Sequence, residues 1–145
     1  MPKISKSMLV MFSAKEMYDL VNDVESYHVF LPGCVGGKVI EFDGKTMVAS
    51  VDVSKAGISK TFTTRNQVVE AESIKLELEN GPFKYMHGLW KFTALTEDAC
   101  KVEFDLDFEF SNRVVDMAFG KIFKELMSSM VMAFTDRAKV IYRDK

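Results

Sequence analysis

The side chains able to do acid, base or metal chemistry are few in this chain. There are two histidines, His28 and His87, and two cysteines, Cys34 and Cys100. Alternation along its run sets His87 opposite Trp90, and His28 lies in the turn ahead of Leu31-Pro32. Neither has a partner at the spacing of a triad or a metal site. The cysteines have no metal-ligand spacing to each other or to a histidine. Two are too few for a disulfide scaffold, so both are expected as free thiols in a reducing compartment. Carboxylates are denser. Glu103, Asp105, Asp107 and Glu109 recur at every second residue, which puts all four on one wet strand face. A paired-carboxylate mechanism needs an enclosed site. Gly36-Gly37 reads as a turn, without the lysine and hydroxyl of a phosphate loop. The sequence therefore predicts no catalytic residue, no metal ligand and no required cofactor.

The whole chain sets the bounds. At 145 residues it reads as one domain, residues 1–145, long enough to bury a sizeable core. The net charge of −2 argues against a general binder of DNA or other nucleic acid. Charge is uneven: residues 66–110 carry 10 Asp/Glu against 4 Lys/Arg, while both ends are mildly basic. Nothing approaches the ~20 apolar residues of a membrane-spanning helix. Lys3 and Lys6 precede only a short apolar run with no cleavage site, so a cytoplasmic location is expected.

The elements that must position these residues follow from periodicity. Residues 3–12 alternate as a strand. Ser13 begins an S-A-K-E capping box with Glu16, opening a helix whose apolar face is Met17, Leu20, Val21 and Val24. A second short helix or turn runs through Tyr27 and Phe30 and stops at Leu31-Pro32-Gly33. Strands are then expected over 38–42, 46–54, 58–69, 74–79, 86–95 and 102–110, with turns at Asp43-Gly44, Ala56-Gly57 and Gly81-Pro82. The last is the clearest, with Val102, Phe104, Leu106, Phe108 and Phe110 on one side. Short turns between strands imply an antiparallel sheet.

A long helix closes the chain from Ser111 to about Arg143, capped by Ser111 or Asn112. With Ser111 as the cap, Phe110 and Val115 are spaced as a hydrophobic staple. Arg137, Lys139, Arg143 and Lys145 suit the far end of its dipole. At about 100° per residue, Val115, Phe119, Ile122, Leu126, Met130 and Ala133 share a face. Phe123, Met127, Val131, Phe134 and Ala138 widen it. So broad an apolar arc predicts a helix gripped by a bent sheet, or one that walls a cavity. Ser129 and Arg137 are the polar intruders, Arg137 near the mouth or rim. The fold class is α+β, a helix-grip arrangement.

Several runs carry a resemblance. They are D-V-S-K-A-G-I-S-K-T-F-T-T-R-N (52–66), L-P-G-C (31–34), G-P-F-K (81–84), G-L-W-K-F (88–92), D-F-E-F (107–110) and A-F-T-D-R-A-K-V-I-Y (133–142). In this order, over nearly the whole chain, they are similar to the bacterial ribosome association toxins. Those belong with the coenzyme Q-binding proteins in the START-like, polyketide-cyclase-like superfamily. The resemblance implies a START-like helix-grip fold with a hydrophobic cavity between sheet and helix. It also implies two functions: binding the large ribosomal subunit to block subunit association, and so translation initiation, or binding ubiquinone or another lipid in support of respiration. A toxin reading admits an antitoxin as a further partner, which no motif in the chain identifies.

Residues can be set against each function. A cavity would draw on Phe62, Trp90, Phe92, Phe104, Phe108, Phe119, Phe123, Met130 and Phe134, or the same side chains simply fill a core. Ser129 would offer a hydroxyl to a quinone carbonyl, or is a small residue admitting close approach of the sheet. A ribosome contact would draw on Lys55, Lys60 and Arg65 of the 52–66 hairpin, joined by Lys84. Phosphate contacts of that kind are salt-dependent. The alternative is solvated hairpin charge.

Overall fold

A computed structural model describes residues 3–55 and 57–142. Its elements follow the predicted order: β1 (Lys3–Val10), α1 (Ala14–Asn22), a 3₁₀ turn (Val24–Ser26), α2 (Tyr27–Phe30), β2 (Cys34–Phe42), β3 (Thr46–Lys55), β4 (Ile58–Val69), β5 (Ser73–Asn80), β6 (Phe83–Thr96), β7 (Ala99–Phe110) and α3 (Arg113–Tyr142). Ala56 of the predicted second turn, and Arg143 and Lys145 of the predicted helix end, lie outside the described residues.

The seven strands form one sheet in the order β1-β7-β6-β5-β4-β3-β2. Every neighbouring pair is antiparallel. β7 lies between the edge strand β1 and β6; its Val102, Phe104, Leu106, Phe108 and Phe110 are all buried, and strand geometry sends the intervening acids to the other face. The sheet is bent. The Phe123 ring on α3 lies 5.8 Å from Phe62 on β4 and 4.9 Å from Phe108 on β7. Three strand spacings on a flat sheet would separate those two strands by about 14 Å. A single side chain reaches both only because the sheet curls around the helix.

Local chemistry sets the helix starts. The Ser13 hydroxyl accepts the Glu16 amide at 3.0 Å, and the Glu16 carboxylate accepts the Ser13 amide at 3.0 Å, the predicted capping box. Asn112 caps α3, its Oδ1 accepting the Val115 amide at 2.9 Å. That choice puts Ser111 in the staple position and frees Phe110, which packs on Phe119 and Phe123 instead. One prediction is corrected here. Gly36-Gly37 is not a turn but the start of β2. A Cβ on Gly37 would stand 2.2 Å from the Val24 carbonyl oxygen, so only glycine lets the 3₁₀ turn lie this close to the edge strand. A bulge between Cys34 and Gly36 makes the same bend.

Candidate functional site

Along α3 the interior divides in two. Near the helix start, Phe119 and Phe123 meet Phe62, Phe83, Phe108 and Phe110 in mutual ring contact, with centroids 4.9–6.3 Å apart. Most pairs are edge-to-face, the arrangement that ring quadrupoles favour. One turn further on, Leu126, Met127 and Met130 face a cavity of about 60 Å³. Its other walls are Phe62, Ile74, Leu76, Met86, Trp90, Phe104 and Leu106 from β4–β7, Ala49 and Val51 from β3, and Val21, Val24, Tyr27, Leu31 and Cys34 from the segment between β1 and β3. Trp90 is held flat against Phe104 at 4.3 Å and edge-on to Phe134 at 5.5 Å.

Of the ten residues predicted for a cavity, Phe62, Trp90, Phe104 and Met130 line it. Phe108, Phe119 and Phe123 belong to the aromatic block, and Phe62 joins the two regions. Phe92 packs against Tyr18 at 5.9 Å, and Phe134 against Tyr27 and Phe30. Ser129 is half-buried and does not line the cavity; its hydroxyl donates to the Leu126 carbonyl at 2.9 Å. A helical serine satisfied by its own preceding turn has no donor left for a ligand. Arg137 sits away from the cavity, its guanidinium 5.3 Å above the Phe30 ring.

Three polar residues interrupt the apolar wall: Asn22 at the end of α1, and Thr64 and Asn66 on β4. Thr64 is 8 % exposed and Asn66 5 %. The Oδ1 atoms of Asn22 and Asn66 are buried with no hydrogen-bond partner among the described residues. Alternation carries the signal for Thr64 and Asn66: with Phe62 and Val68 they share the inward phase of β4, so two polar side chains enter the core. Tyr27 closes one side, its hydroxyl donating to the Val21 carbonyl; burial raises its pKa far above the ordinary phenol value. Burial likewise raises the Cys34 thiol, which donates weakly to the Gly36 carbonyl at 3.5 Å. No histidine, carboxylate, lysine or arginine stands in this wall among the described residues.

The predicted ribosome-contact cations are not brought together. Lys55 lies at the rim, 3.8 Å from Glu125 of α3. Lys60 has no ion-pair partner among the described residues and shares the inward phase of Phe62. Arg65 points the other way and forks onto Glu79, with Nε and one terminal nitrogen at 3.0 and 3.3 Å, which raises its pKa. Lys84 pairs with Glu109 at 3.0 Å on the outer acidic face of β7. That face also carries Asp105, which accepts the Ser5 hydroxyl, and exposed His87 beside Asp107. Among the described residues no group of histidine, cysteine and carboxylate side chains is placed to hold a metal. No described helix is long and apolar enough to cross a membrane.

Residues 10–135 match the family model described as polyketide cyclase / dehydrase and lipid transport. The chain belongs to this family. Within it, the sequence is 58 % identical over 142 residues to the ribosome association toxin RatA of Escherichia coli K12, covering 98 % of this chain and 90 % of that one. The resemblance read from the motifs is thereby borne out. Identity to the mitochondrial coenzyme Q-binding protein COQ10 homolog B of Xenopus laevis is 27 %, covering 95 % of this chain and 58 % of the relative. Among solved structures, the ZhuI aromatase/cyclase of Streptomyces superposes with a TM-score of 0.83 at 17 % identity, covering 98 % and 97 % of the two chains. At that identity the likeness is one of fold, and the helix-grip architecture of this polyketide cyclase / lipid transport member agrees with it.

Proposed function

We propose that this protein is a ribosome association toxin, a cytoplasmic, non-enzymatic factor that binds the large ribosomal subunit and blocks its joining to the small one. The observation that carries this reading is 58 % identity across 98 % of the chain to a protein so named. The wall of uncharged side chains around the cavity supports the non-enzymatic part. An antitoxin partner belongs to the same reading. Within the 52–66 hairpin the contact centres on Lys60 and Lys55. The exposed Lys55–Glu125 pair at 3.8 Å is weak enough in water to exchange for a phosphate. Arg65 and Lys84 are engaged by carboxylates elsewhere and contribute only if those pairs exchange too. The test is to add the protein to subunits dissociated at low magnesium and then restore magnesium. Suppressed reassociation is expected, relieved by Lys55→Glu with Lys60→Glu; normal reassociation at excess protein would overturn the reading.

A second reading is favoured by the cavity itself: a hydrophobic ligand, ubiquinone or another lipid, binds between sheet and α3. Mass spectrometry of an organic extract of the purified protein tests it. Retention of a quinone or lipid is expected, and a clean extract together with no uptake of added ligand would sink it.

A further inference from the structure

The cavity has one property that an apolar ligand alone does not answer. Among the described residues, Asn66, 5 % exposed, has no hydrogen-bond partner for its Oδ1, and the Oδ1 of Asn22 is buried and unpartnered in the same wall. A buried acceptor without a protein donor is costly unless an occupant of the cavity supplies one. Two such acceptors reach this cavity from different elements, the end of α1 and the middle of β4. Both are oxygens, so neither can satisfy the other in these orientations. Apart from Thr64 and Cys34, the rest of the wall is aliphatic and aromatic, with Phe62, Trp90 and Phe104 contributing flat surfaces.

We propose that the cavity selects a single-ring ligand bearing a hydroxyl, phenol or hydroquinone in class: the one O–H of a phenol donates to Asn66 or to Asn22, and the two of a hydroquinone can serve both. This rests on the reading of the cavity as a ligand site and adds a polarity rule to it. A carbonyl-only ring, such as the oxidised quinone form, meets acceptors in these orientations and is held only when the Asn66 or Asn22 amide turns to present its NH2, so it binds more weakly than the hydroxyl form. The present volume of about 60 Å³ holds roughly four waters, so a ring requires the wall to give. Met86, Met127 and Met130 are placed to do so, being unbranched and able to repack at low cost. Thr64, between Phe62 and Asn66 on the inward phase, supplies a hydroxyl that can turn to either role.

The experiment titrates the whole protein with p-cresol, toluene and benzaldehyde, following methyl shifts of the cavity methionines by NMR. Cresol is expected to bind most tightly relative to its solubility in hydrocarbon. Asn66→Leu should weaken cresol about tenfold and leave toluene unchanged or tighter. Asn22→Leu should do the same to a lesser degree, which keeps the test open if one variant folds poorly. Failure of all three probes to bind the unaltered protein would overturn the ligand-site reading itself. Toluene binding with cresol indifferent to both substitutions would overturn the polar anchor while leaving that reading intact. Equal loss of cresol and benzaldehyde in Asn66→Leu would overturn the preference for a donor.

Discussion

At Phe119 and Phe123 the long helix is locked into a block of six phenylalanines whose rings touch edge to face. One turn later, at Leu126, Met127 and Met130, the same helix faces a cavity with methionines in its wall and unpartnered amide oxygens at its edge. The first region has shape-specific packing and no titratable group. The second has adjustable side chains, a buried phenol and a buried thiol. The same sheet and helix thus supply a rigid anchor and a compliant pocket side by side. The difference teaches that the width of the apolar arc on α3 does not have one cause: Phe119 and Phe123 are packing, while Leu126, Met127 and Met130 are wall.

The comparison can be broken most forcefully at Phe123, which is fully buried. Phe123→Ala should cost about 3–5 kcal/mol, measured by denaturant unfolding, because rigid neighbours cannot collapse into the space. A loss below ~1 kcal/mol would mean the block is as pliable as the cavity.

Alkaline pH sharpens the contrast next. The raised pKa values of Tyr27 and Cys34 come first from burial, and burial also pushes Cys100 up to about 11. Each group stays protonated in the native state after its unfolded counterpart has ionised. Their contribution is therefore complete below the ordinary thiol value of 9.0 and is lost as pH rises beyond it. The loss approaches about 1.4 kcal/mol per pH unit for each such group. Stability should hold level near pH 8 and fall from pH 9 toward 11, with Cys34→Ala reducing the slope. A slope unchanged by that substitution would remove Cys34 from the account.

The smallest expected effect has the opposite sign. Asn66→Leu removes a buried acceptor without a partner, so thermal unfolding should shift upward or stay level, by up to about 1–3 kcal/mol. Clear destabilisation would show that Asn66 is already satisfied by the protein or by water, and that the cavity is less distinct from the aromatic block than described.

Much of this was legible in the sequence. Alternation from Val102 to Phe110 located β7 and its buried side, Ser13 and Glu16 marked α1, and the wide arc pointed to a gripped helix. These signals are local, or repeat with the period of the element. What escaped was tertiary or was a matter of phase. The start of β2 at Cys34 depends on Gly37 passing under the Val24 carbonyl, which no local propensity encodes. Ser129 was overvalued because a helical hydroxyl has a carbonyl of its own within reach. Lys55 and Arg65 look like one cluster along the chain, yet they fall on opposite strand phases, and register then delivers them to Glu125 and Glu79. Thr64 and Asn66 are readable by the same alternation that places Phe62 inward, since all three share one phase of β4.

The close seat of the 3₁₀ turn on β2 bears on how the molecule behaves in a crowd. β2 ends the sheet, and an open edge invites a strand from another copy. Here Gly37 brings the turn against that edge, and the Glu25 carboxylate accepts the free Val39 amide at 3.3 Å. Breaks in register at Cys34/Gly36 and Val39/Glu41 twist the strand away from a straight template. Val35, Ile40 and Phe42 are exposed along this strand, and a straight, unguarded edge carrying them would be a site for aggregation. One glycine without a side chain and one borrowed carboxylate keep neighbouring copies from stacking edge to edge.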